Sequence, residues 1–194
     1  PQAMPWKYAV VCSSNMNRSM EAHALFARHG LKVSSFGTGT NVRLPGPAPD
    51  KPNVYDFGTP YTEIHASLKK QNETLYSSNG LLPMLERNAA VKRAPERWQD
   101  SKGRFDVVIS FEERVFDALM QDLHSRPSEH FLPLLLVNVE TKDNHEDAAI
   151  GAAHAKELCQ ILEATEDLET EAGNFAEAAA QVVGREILFS LFYT

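Results

Sequence analysis

Apolar and polar positions change period repeatedly along this chain. Tyr8-Ala9-Val10-Val11 is an unbroken apolar run that ends at Cys12, which predicts a buried strand. From Met20 to His29 the period lengthens. Ala22, Leu25 and Phe26 fall on one helical face, and Gly30 follows as a stop. Leu31 to Phe36 alternates again, so the first stretch reads as a β-α-β unit of about 30 residues. Gly37 to Gly58 is rich in Gly and Pro and predicts a long loop, a feature that in compact domains usually serves function. Tyr61 to Arg87 carries a helical signal broken near Gly80, and Ala94 to Gly103 reads as a second loop.

The later half repeats the alternation. Phe105 to Phe111 predicts a strand. Val115, Phe116, Leu119, Met120 and Leu123 form one stripe of a helix. Phe131 to Val139 predicts another strand, with Pro133 marking an edge or a bend. Asn144 to Glu163 reads as a helix; Phe175, Ala178, Ala179, Val182 and Val183 stripe a further one; Ile187 to Tyr193 closes the chain as a last strand. Strands alternating with helices predict an α/β fold: a three-layer sandwich with a mostly parallel sheet of about five strands and helices on both faces. No repeat or domain boundary interrupts it, so a single domain over residues 7–193 is expected.

Composition narrows the function classes. With 194 residues and 43% hydrophobic content, the chain fills one core. A net charge of −7 argues against direct binding to a nucleic-acid backbone. Lys69-Lys70 and Lys92-Arg93 are the basic pairs, read here as solvated faces. No apolar run approaches the roughly 18 residues of a membrane span. Pro1 to Lys7 lacks a signal-peptide layout, and Pro1 to Met4 receive no role in the fold. Two cysteines, Cys12 and Cys159, make neither a disulfide scaffold nor a zinc site, so a reducing, intracellular setting is the expectation.

The chemistry concentrates between Val10 and Ala22, V-V-C-S-S-N-M-N-R-S-M-E-A. This is Cys-x5-Arg-Ser between a strand and a helix. Ligands in open α/β sheets bind beyond the carboxyl ends of the strands. The following helix start offers unpaired N–H groups and a positive dipole end. A loop of Ser13, Ser14, Asn15, Met16 and Asn17 is the right length to curl its N–H groups around a tetrahedral dianion. Arg18 then grips two phosphate oxygens. Cys12, on the floor of that cradle, is favoured as thiolate and becomes an in-line nucleophile at phosphorus. Ser19 is placed to donate to the sulfur, and Asn15 to brace the loop. Such a reaction needs an acid for the leaving oxygen. Glu140, Asp143 and Asp147 all follow a strand end, with Asp143 first among them, although Asp143 or Asn144 would serve equally to cap the next helix.

Several longer segments carry a family resemblance. VVCSSNMNRSMEAH, SFGTGT, LPGPAPDKPNVYDF, APERWQD, FDVVISFEERVFD and KDNHEDAAIGA resemble the Ssu72 family, phosphatases of the C-terminal repeat tail of RNA polymerase II, from about Lys7 to Tyr193. The resemblance implies a fold like that of low-molecular-weight tyrosine phosphatases, with a lid-like insertion around 40–100. It implies Cys12 as nucleophile, Arg18 as phosphate binder and Asp143 as general acid, with Glu140 standing where some relatives have Asp. Pro45 and Met84 match positions near the substrate proline ring. The implied substrate is a phosphoserine-proline bond in its cis form, at the fifth and seventh heptad positions. The cis form is ordinarily held back by about 0.5–1 kcal/mol. A nuclear location, a symplekin-type scaffold as partner, and no metal, cofactor, membrane or direct nucleic-acid contact complete the expectation.

Three rivals remain open. A general tyrosine phosphatase shares the loop. An arsenate reductase needs shuttle cysteines, and only Cys159, read as core packing, is available. A scaffold component of the RNA 3′-end processing machinery needs no catalysis, yet Cys12, Arg18 and Asp143 are all present.

Overall fold

The structure is a computed structural model and describes residues 6–128 and 131–194. Its centre is a sheet of five strands: β1 (Lys7–Cys12), β2 (Lys32–Gly37), β5 (Val107–Ser110), β6 (Pro133–Asn138) and β7 (Phe189–Tyr193), ordered β2-β1-β5-β6-β7. The first four run parallel, and β7 turns back antiparallel on β6. Helices α1 (Arg18–Arg28), α4 (Glu113–Ser125), α5 (His145–Glu163) and α6 (Leu168–Val183) cover it.

The two-residue period of the strands sorts the core into two faces. Tyr8, Val10, Val107, Ile109, Leu135 and Val137 point to the side of α1, α5 and α6, where Phe26, Leu158, Cys159 and Phe175 meet them. Ala9, Val11, Val108, Leu134 and Leu136 point to the other side, against Val115, Phe116 and Leu119 of α4 and against Trp98 and Phe105. Burial on both faces is why these strands read as continuous apolar runs. Cys159 is wholly buried in the first face, and burial pushes its thiol well above the ordinary cysteine range.

A third apolar cluster lies over the carboxyl ends of the strands. It joins Met16 and Met20 to Val42 and Leu44 of β3 (Val42–Ala48), to Tyr61, Ile64 and Leu68 of α2 (Tyr61–Ser78), and to Leu81, Met84 and Leu85 of α3 (Leu81–Val91). Here the structure corrects the expected loop over Gly37 to Gly58. Residues Val42–Ala48 and Lys51–Tyr55 (β4) form an antiparallel hairpin with a register shift between Leu44 and Ala48. Pro45, Pro47 and Pro52 obscure it in the sequence. Proline cannot donate to a ladder and is tolerated at edges and bulges, which a two-stranded ribbon has in plenty. Three smaller departures occur. The second loop contains a 3-10 turn, Trp98–Asp100, that buries Trp98. Strand β6 begins at Pro133, leaving Phe131 outside it and exposed. Helix α2 is broken at Asn72.

Candidate active site

The parallel register sets Cys12 beside Gly37 at the end of β1. The chain leaving Cys12 passes so close that a Cβ on residue 37 would sit 2.5 Å from the Ser13 carbonyl oxygen, so glycine is the residue that fits. Gly39 N–H donates to that same carbonyl and Thr38 N–H to the Cys12 carbonyl, fixing the take-off of the loop.

Residues 13–17 then curl into the start of α1. Asn15 takes φ +53, a left-handed conformation that asparagine tolerates better than most residues. It is fully buried and bonded at three of its polar atoms. Its Nδ2 donates to Ser19 Oγ at 2.9 Å, its Oδ1 accepts from Glu96 N–H at 3.0 Å, and its carbonyl accepts from the Tyr61 hydroxyl at 2.8 Å. Burial first, then the Cys12 charge, raises the Tyr61 pKa, so this hydroxyl stays a donor. The Met16 carbonyl accepts from Asn88 Nδ2 at 2.8 Å and from Arg87 Nη2 at 3.2 Å. Arg87 is held by an ion pair with Glu21. These bonds hold the Asn15 and Met16 carbonyls in place from α2 and α3.

Ser19 Oγ lies 3.0 Å from Cys12 Sγ. That oxygen also accepts from Asn15, so its own proton is free to be donated to a Cys12 thiolate. Arg18 enters from the first turn of α1 with its side chain only 5% exposed. Nη1 donates to the carbonyls of Thr141 (2.9 Å) and Phe111 (3.3 Å), and Nη2 to Glu112 Oε2 (2.7 Å). Nε has no partner at hydrogen-bond distance among the described residues. It lies 3.6 Å from Asp143 Oδ1. Burial acts to lower the Arg18 pKa, but Cys12, Asp143 and Glu112 more than offset it, so the cation is secure.

Of the three candidate acids, Asp143 alone lines the cleft over Cys12. Its Oδ1 accepts from Asn17 Nδ2 at 3.0 Å. Glu140 Oε2 instead accepts from Glu113 N–H and Asn138 Nδ2, both at 2.9 Å, at the start of α4. Asp147 closes a reciprocal cap with Asn144 at the start of α5: Asn144 Oδ1 accepts from Asp147 N–H, and Asp147 Oδ2 from Asn144 Nδ2.

The cleft holds about 290 Å³ and is lined by Leu44, Pro45, Leu81 and Met84 and by Asp143, Asn144 and His145. Pro45 and Met84 therefore both line it, while Ser13, Asn15 and Ser19 stay outside the lining and Ser14 Oγ accepts from Arg43 N–H. One member of each basic pair is engaged. Lys69 pairs with Glu73, and Lys92 Nζ donates to the Ser35 carbonyl and Glu96. Among the described residues no cluster of three metal-ligating side chains occurs, and no helix is long and apolar enough to cross a membrane.

Residues 6–194 match the family model described as "Ssu72-like protein". This chain belongs to the Ssu72 family. It is 48% identical over 189 residues, 97% of each chain, to proteins from Danio rerio and Homo sapiens named as the RNA polymerase II C-terminal domain phosphatase SSU72. A Dictyostelium discoideum protein of the same name is 44% identical over 96% of this chain and 89% of its own. Among solved structures, Drosophila melanogaster Ssu72 with Symplekin, bound to a cis peptidomimetic CTD peptide phosphorylated on its fifth-position serine, superposes with a TM-score of 0.93 at 40% identity, each chain covered fully. A second Drosophila structure, a serine phosphatase of RNA polymerase II CTD, gives 0.95 at 42% identity, over 97% of this chain and 100% of that one. Cys12 and Arg18 are the two candidate residues to which the local sequence points directly. Glu112, Arg87, Asn88 and Tyr61 escaped that reading because each reaches the loop from a distant element.

Proposed function

We propose that this chain is a cysteine-dependent protein phosphatase that removes phosphate from phosphoserine-proline sites in the heptad repeats of the RNA polymerase II C-terminal domain. The observation that carries the reading is the convergence of Cys12, Arg18 and Asp143 on one cleft also lined by Pro45 and Met84, with the Ser19 hydroxyl against the Cys12 sulfur. Family membership supplies the substrate class, and the cis phosphoserine ligand of the Drosophila relative supports selection of the cis bond. The Symplekin in that same structure supports a symplekin-type scaffold as partner, and the polymerase substrate supports action in the nucleus.

The residues suggest the following sequence. The loop amides and Arg18 bind the phosphate oxygens, with Nε and the second N–H of Nη2 the donors of Arg18 not already spent. The Cys12 thiolate attacks phosphorus in line, and the phosphorus–serine oxygen bond breaks. Asp143, anchored at Oδ1 by Asn17, gives the proton on its other oxygen to the departing alkoxide. Water then attacks the cysteinyl-phosphate while Asp143 takes its proton. The sulfur leaves as thiolate, stabilised by the Ser19 hydroxyl, and inorganic phosphate is freed. The Asp143 side chain, 64% exposed, is open to the water this second step uses.

The test is phosphate release from a heptad peptide phosphorylated at the fifth-position serine, with prolyl isomerase added or withheld. Cys12→Ser abolishes turnover, and Asp143→Asn slows it roughly 100- to 10,000-fold. Isomerase speeds the late phase by resupplying the cis bond. Turnover by Cys12→Ser, or indifference to isomerase, overturns the mechanism or the cis selection respectively.

A further inference from the structure

Opposite the phosphate loop, α2 and α3 meet at a turn, and one long-range contact ties that turn to the segment carrying Asp143. His145 Nε2 lies 3.1 Å from the Asn79 carbonyl. A carbonyl only accepts, so the imidazole donates. The next residue, Gly80, has φ +81, and a Cβ there would come 2.6 Å from His145 Nε2 and 2.9 Å from Cδ2. The ring is seated directly against the glycine backbone.

The turn ends a jointed limb. Asn72 has φ −164 and ψ 91 inside α2, and its Oδ1 accepts from Leu75 N–H at 3.0 Å, so it starts a separate helical limb over residues 73–78. The limb is coupled to the apolar wall. Asn53 Nδ2 donates both to the Tyr76 hydroxyl (2.9 Å) and to the Pro45 carbonyl (3.0 Å). Beyond the turn, Leu81 and Met84 line the cleft. The limb thus has a break in its helix at one end, the His145 contact at the other, and the substrate-facing wall attached between and beyond.

We propose that His145 is a positioning residue, a latch that holds the 73–80 limb and its wall of Pro45, Leu81 and Met84 across a bound phosphopeptide while keeping the Asp143 segment at the loop. This rests on the phosphopeptide reading given above. The latch couples grip on the peptide to placement of the acid, since His145 stands two residues from Asp143. Both residues of the contact are exposed, so water competes for it and the latch opens readily between turnovers. It needs no protonation, because the imidazolium and the Nε2–H neutral tautomer both donate.

The test compares the parent with His145→Ala, His145→Gln, Gly80→Ala and the His145→Ala/Gly80→Ala double variant. Amide hydrogen exchange over residues 73–84 and KM for a phosphoserine-proline peptide and for an aryl phosphate are measured on each. In His145→Ala, exchange over 73–84 accelerates and the peptide KM rises, both roughly 3- to 10-fold. The aryl phosphate, too small to reach the wall, shows a smaller rise. His145→Gln, which retains a donor, recovers most of both effects. Gly80→Ala forces the ring aside and also strains a backbone at φ +81, so in the double variant the part of its effect that persists measures that strain and the part that is lost measures the collision with the ring. Unchanged exchange in His145→Ala, or His145→Gln no better than His145→Ala in exchange and peptide KM, overturns the latch. A parent inert on the peptide overturns the substrate reading instead, and the exchange data then decide the latch alone.

Discussion

Glu112 Oε2 stands 2.7 Å from Arg18 Nη2 and fixes which edge of the guanidinium faces the cleft. With Nη1 committed to the Thr141 and Phe111 carbonyls, the Glu112 contact completes a three-point clamp on the guanidinium. Charge-assisted bonds of this kind contribute about 1.5–3 kcal/mol. Glu112→Gln keeps the shape and removes the charge, and is expected to lower kcat/KM roughly 10- to 100-fold. Glu112→Ala also frees a buried cation of a partner, and urea unfolding should show a loss of about 1–3 kcal/mol. That is less than for a wholly buried pair, because the Glu112 side chain is 27% exposed. Unaltered kcat/KM in Glu112→Gln would show that the two carbonyls hold Arg18 unaided.

Ser19 is connected to Asn15 and, of the groups that face substrate, only to Cys12, so its effect belongs to the thiolate as leaving group. Ser19→Ala is expected to slow breakdown of the cysteinyl-phosphate roughly 10-fold or more. An aryl phosphate assay in rapid mixing then shows a burst of phenol followed by a slow steady rate. A uniform slowing without a burst would place the serine in the attack step.

The phosphate loop was legible because it is local. Cys12, five loop residues and Arg18 lie between a strand and a helix that each announce themselves by period, so the chemistry could be read in one span. The hairpin over Val42–Tyr55 was not, since Pro45, Pro47 and Pro52 mimic a loop, and its burial depends on Met16, Tyr61 and Leu81 arriving from elsewhere. The same limit applies to polar residues. Asn88 and Arg87 occupy an ordinary helix in the sequence, and only folding across about 70 residues brings them to the Met16 carbonyl. Among three similar acids after β6, position in the chain puts Asp143 first by a narrow margin, whereas their hydrogen bonds separate two caps from one cleft residue.

Asn88 offers a direct test of that long-range support. It is wholly buried, and its Nδ2 satisfies the Met16 carbonyl. Asn88→Ala leaves the carbonyl competing for Arg87 alone and removes an acceptor of the Arg87 guanidinium. The expected loss of stability is about 1–3 kcal/mol. Inorganic phosphate or vanadate should also bind more weakly, as the loop amides lose their alignment. Asn88→Asp keeps the acceptor and loses the donor. If it retains parental vanadate affinity, the Met16 contact is not what shapes the loop.

His23 sets a pH dependence of stability. It sits on α1 with Nδ1 2.8 Å from Ser35 Oγ. Burial, then the nearby Lys92 ammonium, drive its pKa down from an ordinary 6.5 to about 4, with Glu96 opposing. Between those values the unfolded chain binds a proton that the folded chain refuses. Stability is therefore fully present above about pH 6.5 and declines as the pH falls toward 4, by at most about 1.4 kcal/mol per pH unit from this group. Carboxylates contribute their own acid dependence, so the informative quantity is a difference between proteins. His23→Gln retains hydrogen-bonding capacity toward Ser35 and does not titrate. Urea unfolding at pH 7.0 and pH 5.0 should show a markedly smaller loss for His23→Gln than for the parent. Equal losses in the two proteins would mean that His23 takes up its proton in the folded state as readily as in the unfolded one.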